Sequence, residues 1–194
     1  MNEWHLARGY RYAGIVGKLR TEPDRRDIGV ILSDTPAAAA GVFTQNRVCA
    51  APVQVSRERL PQAGVRGIVC CSGNANACTG DQGLADARRM TQLVADGMQV
   101  KPEQILVAST GVIGRPLPMA ILEAGIPKAV REANGGRESA NHFAHSILTT
   151  DTGPKVATRT ATPAMLRAWR RMGELAARQA ELKRHFKPGW YAQN

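Results

Sequence analysis

The chain has 194 residues, 43% of them hydrophobic and 22% charged, which suits a soluble globular protein of one domain with a real core, or of one and a half subdomains. Aromatics make up only 5%, so packing must rest on small and aliphatic side chains. The net charge of +10 is uneven: the stretch from Ala157 onward holds eight Lys/Arg against two Glu, so the basic balance reports a tail more than a nucleic-acid surface.

The four cysteines, Cys49, Cys70, Cys71 and Cys78, form no C-x-x-C pair, and the histidines lack zinc spacing. They read as free thiols of a reducing cytosol, and no metal is implied. The N-terminus has no basic-then-apolar signal pattern, and no apolar run approaches a membrane span. The expectation is a cytoplasmic protein with no membrane and no nucleic-acid partner.

In chain order, residues 1–26 read as an irregular opening segment punctuated by Gly9, Gly14 and Gly17. Ile28–Leu32 is a strand candidate that ends at the turn signal Ser33-Asp34-Thr35-Pro36. Gly41–Thr44 reads as a second strand, and Ala51–Ser56 as a third with Pro52 at its start. Val65–Val69 is a buried strand, broken by the small polar residues that follow Cys70 and Cys71. Leu84, Ala87, Met90 and Val94 recur at helical spacing, with Asp81 near the helix N-terminus and Gly97 near its end. Ile105–Ser109 is a further strand. Pro118–Ala124 reads as a short helix stopped by Gly125, resumed over Pro127–Ala133, and Ala140 to Leu148 as another. A basic amphipathic helix is expected over 163–184, with Thr162-Pro163 at its start.

Two strand-to-loop junctions stand out as lining one site: S-G-N-A-N-A-C-T-G at 72–80 and T-G-V-I-G at 110–114. A glycine N–H admits close approach and a neighbouring threonine hydroxyl adds a donor, so Thr110-Gly111 fits an oxyanion site. Spacing alone favours the plainer reading, a tight β-to-α turn in which Thr110 caps the following segment. The two asparagines of the first loop either serve a site or bond their own backbone. The Thr149–Thr152 cluster either contacts a small polar ligand or is a helix exit with hydroxyls in solvent. Cys78 is a weak nucleophile candidate, since no histidine is aligned with it.

With these residues in view, the chain resembles the ornithine acetyltransferases, also called the bifunctional glutamate N-acetyltransferase and amino-acid acetyltransferase of arginine biosynthesis. The likeness spans roughly residues 10–156. It rests on S-D-T-P-A-A-A-A-G-V-F-T-Q-N at 33–46, A-A-P-V at 50–53, the nine residues 72–80, V-A-S-T-G-V-I-G at 107–114, L-P-M at 117–119 and L-T-T-D-T-G-P-K at 148–155. The resemblance implies an α/β fold of mixed sheets layered with helices. It implies a precursor that cuts itself before a threonine into α and β chains, the new terminal threonine carrying acetyl from N-acetylornithine to glutamate. It also implies Thr110 and Gly111 as the oxyanion hole and Thr149, with Thr150 adjacent, as substrate contacts. No resident cofactor is implied, although acetyl-CoA serves some members as acetyl donor. The implied partners are the small molecules N-acetylornithine and glutamate and the β chain, in an oligomer.

The family's glycine-rich K-G-S-G-M-I stretch and its cleavage motif M-A-T-M-L have no counterpart here. Ala161-Thr162 sits in different surroundings with proline following, so the nucleophile is not carried over to Thr162, and Lys155 belongs to a different motif. The expected division is therefore an α-chain domain over 1–156 and an unmatched basic tail over 157–194, as in a truncated, frameshifted or divergent gene. Such a chain alone is expected to be inactive. Two alternatives stay open: an inactive remnant, or a non-enzymatic binding module using the basic tail helix.

Overall fold

The computed structural model describes residues 5–158 together with Thr162, Ala164, Arg167, Ala168 and Arg171. Of the expected tail helix, Ala164, Arg167, Ala168 and Arg171 are described and are helical; its remainder lies outside the described residues. The elements are β1 (Tyr10–Ile15), β2 (Ile28–Ala39), α1 (Ala51–Arg59), β3 (Gln62–Asn74), α2 (Gly80–Met98), a 3-10 turn (Pro102–Gln104), β4 (Ile105–Val112), α3 (Met119–Glu132) and α4 (Arg137–Ser146).

One mixed sheet in the order β1-β2-β3-β4 carries the fold. β1/β2 and β2/β3 are antiparallel, and β3/β4 are parallel, joined through α2. The α/β class expected from the motifs is what the chain adopts. The core lies on one face, where Ile28, Val30, Leu32, Val69, Ile105 and Val107 meet Met90, Val94, Leu122 and Ile126 of α2 and α3. On the other face α4 covers β1 and β2 at a pair of glycines. Gly14 and Gly29 face each other across the ladder. A Cβ on Gly14 would fall 2.0 Å from the His142 carbonyl oxygen, and one on Gly29 2.2 Å from Ser146 Oγ. The missing side chains let the helix backbone rest on the sheet.

Several sequence expectations are corrected. The opening segment contains β1. The turn signal at 33–36 does not turn: β2 continues to Ala39, and a register shift between Leu32 and Ala37 absorbs Pro36. Gly41–Thr44 is not a strand. Ala51–Ser56 is helical, with Pro52 in the first turn where its absent N–H is harmless, and Ala51, Pro52, Val55 and Ser56 buried at helical spacing. Gly97 does not end α2, which reaches Met98 before Gln99 takes the left-handed conformation. Gly125 does not stop α3, because it is there for packing: a Cβ would meet Ile28 Cδ1 at 2.5 Å. The helix runs unbroken past Pro127, held by buried Leu122, Ile126, Ala129 and Val130.

The free edge of β4 is managed by α1. Ser56 Oγ donates to the Val107 carbonyl at 2.8 Å and accepts the Val107 N–H at 3.0 Å. Arg59 donates to the Ile105 carbonyl and, at 3.2 Å, to Thr91 Oγ1. The first half of the strand edge is thereby satisfied without a neighbouring strand.

Replacing Gly14 by Ala is expected to lower stability by about 3 kcal/mol or more, since backbone must move. Gly153→Ala, with nothing within 4 Å of the added carbon, should stay within about 0.5 kcal/mol. Urea unfolding of the two variants checks the contrast. A second expectation concerns alkaline pH. Burial, with Cys71 adding to it, pushes the Cys70 thiol up to about 12; burial pushes Cys71 up to about 11 against the opposing Ser109 contact. In the unfolded chain both thiols ionise near 9.0, so above that pH the unfolded state sheds protons that the folded state keeps. Stability contributed by these groups is full below 9.0 and is lost as pH rises toward about 11 and then about 12. Unfolding measured across that range should show a falling arm that Cys70→Ala and Cys71→Ala each make shallower.

Candidate active site

β3 and β4 run side by side to their C-terminal ends, with Ser72 opposite Thr110 and Gly73 opposite Gly111. The stretch 70–74, expected to open a loop, is still strand; only 75–79 is loop. Carboxyl ends of neighbouring parallel strands are where α/β proteins place ligand sites. A cleft of about 840 Å³ opens here, lined by Leu19, Arg20, Thr21, Glu22, Arg25, Gly73, Thr110, Gly111, Val112, Arg115, Thr149 and Thr150. All four residues singled out from the sequence, Thr110, Gly111, Thr149 and Thr150, face this one space.

Gly111 has φ +136, a conformation that favours glycine, and a Cβ there would lie 2.3 Å from the Gly73 carbonyl carbon. Val107 turns its N–H and C=O outward to Ser56. Strand alternation turns the N–H groups of Ser109 and Gly111 the same way. Val112, whose carbonyl accepts the Ala75 N–H at 3.0 Å, faces inward. The Gly111 N–H and the exposed Thr110 side chain thus stand at the open end of the strand edge, past the part that α1 covers.

The asparagines of the first loop turn out to be structural. Asn74 Oδ1 accepts the Asn76 N–H at 2.8 Å, while its Nδ2 donates to the carbonyls of Arg115 at 3.1 Å and Pro116 at 2.9 Å. Asn76 Nδ2 donates to the Gly83 carbonyl at 2.8 Å and its Oδ1 accepts the Thr79 hydroxyl at 2.7 Å. They fix the loop to α2 and to the chain after β4. Cys78 lines a different, smaller cleft with Arg47, Cys49 and Asp81, and no histidine is among that cleft's lining residues.

Sequence reasoning missed the third wall. The segment 16–26 between β1 and β2 is a strap fixed by buried Asp27, whose carboxylate accepts the N–H groups of Gly17 at 2.6 Å, Leu19 at 2.7 Å and Arg20 at 3.3 Å. Asp27 also donates its N–H to the Ile15 carbonyl at 3.0 Å and accepts the Ser72 N–H at 2.8 Å through its own carbonyl. From the strap, Arg20 donates to the carbonyls of Leu148 at 2.8 Å and Thr149 at 3.5 Å, and Arg25 donates to the Thr149 carbonyl. Burial first, then Arg25, lowers the Arg20 pKa from its ordinary value. The one available signal was an acid directly ahead of an apolar run, too common to single out. Asp27→Ala would leave three N–H donors without their acceptor and should cost about 3 kcal/mol or more, with Asp27→Asn in between, as read from urea midpoints.

The sequence matches the profile of the ArgJ family over residues 11–173, which runs into the segment set apart from residue 157. The arginine biosynthesis bifunctional protein ArgJ of Geobacter sulfurreducens is 46% identical over 155 residues, covering 80% of this chain and 39% of its own length. Its counterpart in Lactococcus lactis is 49% identical over 129 residues, 66% of this chain and 32% of that protein. This chain therefore spans well under half the length of these relatives. Among solved structures, ArgJ of Bacillus halodurans superposes with a TM-score of 0.71 at 37% identity, covering 75% of each chain. Ornithine acetyltransferase of Mycobacterium tuberculosis, solved in complex with ornithine, gives 0.72 at 37% identity, covering 75% of this chain and 78% of that one. With a profile match over most of its length and relatives above 40% identity, this chain belongs to the ArgJ family.

Proposed function

We propose that this chain supplies the oxyanion-stabilising half of a glutamate N-acetyltransferase of arginine biosynthesis, moving acetyl from N-acetylornithine to glutamate. The observation that carries the reading is the Thr110–Gly111 pair at the open strand edge, facing Thr149 and Thr150 across one cleft. When a nucleophile adds to an acetyl carbonyl, the oxygen takes on charge. The Gly111 N–H is a donor oriented by the strand, and the exposed Thr110 hydroxyl beside it can turn to supply a second. Thr149 and Thr150 bind the amino-acid portion of the donor. Ornithine in the Mycobacterium tuberculosis structure is the product that would remain after acetyl leaves.

The nucleophile belongs to the β chain, whose terminal threonine attacks the acetyl carbonyl while its own amine takes the hydroxyl proton. Ornithine leaves with its restored amine, and the glutamate amine then displaces the acetyl-threonine ester. Acetyl-CoA is an alternative donor. On this reading residues 1–156 form the α-chain domain, and the partners are the two amino-acid substrates and a β chain, in an oligomer.

The test combines this chain with the segment of the Geobacter sulfurreducens relative that lies beyond the matched part, and assays acetyl transfer from N-acetylornithine to glutamate. Transfer is expected only with both pieces present. Thr110→Val should reduce kcat by about 10²- to 10³-fold, the loss of one oxyanion donor, with folding unchanged because the side chain is exposed. Equal rates with Val at 110 would remove the threonine from the proposal.

A further inference from the structure

The threonines of the cleft stand on two walls of different origin, with the strap as the third. Thr110 and Gly111 stand on a strand of the sheet. Thr149 and Thr150 follow α4 in a segment with no regular structure, so something else must hold them. We infer that Arg20 and Arg25 are positioning residues that set the Thr149–Thr150 wall against Thr110–Gly111, and thereby govern how tightly the cleft holds its acyl donor; this rests on reading the cleft as an acetyl-transfer site.

The contacts are specific to main chain. Arg20 spreads its two terminal nitrogens over the carbonyls of Leu148 and Thr149, and Arg25 reaches the Thr149 carbonyl from the other side of the strap. Glu22 sits 3.5 Å from Arg25 and accepts its other terminal nitrogen. The carbonyls of Leu148 and Thr149 lie beyond the end of α4, where no helical hydrogen bond serves them. A guanidinium fork serves adjacent acceptors in a way that a single ammonium does not. Arg20 Nε is buried with no partner among the described residues, so the side chain is held by its terminal donors alone.

The strap that carries the arginines is fixed to the sheet. Asp27 binds its N–H groups and joins both β1 and β3 through its own backbone. Arg20 then crosses the tip of β3 at Gly73, where a Cβ would lie 2.8 Å from Arg20 Cγ. The line of force runs from the sheet, through Asp27 and the arginines, to the far wall. The oxyanion wall does not depend on it.

The experiment uses the two-piece enzyme described above with Arg20→Met, Arg20→Lys and Arg25→Met. Both Met variants should raise KM for N-acetylornithine by about tenfold while kcat stays within about threefold, the pattern of lost binding with intact transition-state donors. Arg20→Lys, keeping a cation with a single reach, should recover part of the loss. Hydrogen–deuterium exchange on the full chain alone gives a second readout. Amides of 147–152 should exchange about tenfold faster in the Met variants, and those of 105–110 should not change. Unchanged KM and unchanged exchange at 147–152 would overturn the inference, as would a fall in kcat equal to the fall in kcat/KM. If the unsubstituted pair transfers no acetyl, the functional reading fails while the exchange data still decide the clamp. Should Arg20→Met fail to fold, Arg25→Met and Arg20→Lys carry both measurements.

Discussion

The carboxylate of Asp27 is the constraint on which the site depends. It has no exposed surface, and a buried carboxylate is tolerable only when its oxygens are occupied. Three backbone N–H groups of the strap occupy them. The same residue's backbone bonds the end of β1 and the exit of β3. A segment that would otherwise wander over the sheet is therefore drawn down at its base. Arg20, which donates to the carbonyls of Leu148 and Thr149, is bound to that carboxylate through its own N–H.

The sheet supplies the rest by what it leaves uncovered. α1 satisfies the β4 edge at Ile105 and Val107 and goes no further. Open strand edges are usually blunted, because free N–H and C=O groups invite pairing with other chains. Here the edge is blunted along its first half and left free where Thr110 and Gly111 sit. A backbone donor on a strand is already oriented by its neighbours, so the Gly111 N–H has a fixed direction at this open end. The exposed Val112 and Ile113, at 48% and 65%, continue this open end.

The parts of this molecule that could be read from residues are those where one local rule decides. Apolar periodicity located α2 and the cores of β2, β3 and β4, and the four residues singled out, Thr110, Gly111, Thr149 and Thr150, line one cleft. Failures came where packing overrode a local signal. Pro36 looked like a turn and is a bulge; Gly125 looked like a stop and is a contact with Ile28. Pro52 fits the start of a strand as well as a helix, and only burial of Val55 and Ser56 against β4 decides between them. Arg20 and Arg25 were invisible because their acceptors are main-chain carbonyls more than a hundred residues away, and carbonyls leave no mark on a sequence.

Gly73 and Gly111 join the two walls into one device. They lie opposite each other on neighbouring strands, both at positive φ. Gly111 itself must be bare, because a Cβ there would lie 2.3 to 2.6 Å from the Gly73 carbonyl group and the Asn74 nitrogen. Arg20 needs Gly73 bare, since its Cγ passes through the volume a side chain would take. The bare Gly111 thus lets the two strands lie close, and the bare Gly73 leaves room for the Arg20 side chain of the strap. The Thr110–Gly111 side of the cleft is held by the hydrogen-bond ladder of the sheet and the carbonyls of Leu148 and Thr149 by the two arginines, so the two sides are fixed by different means.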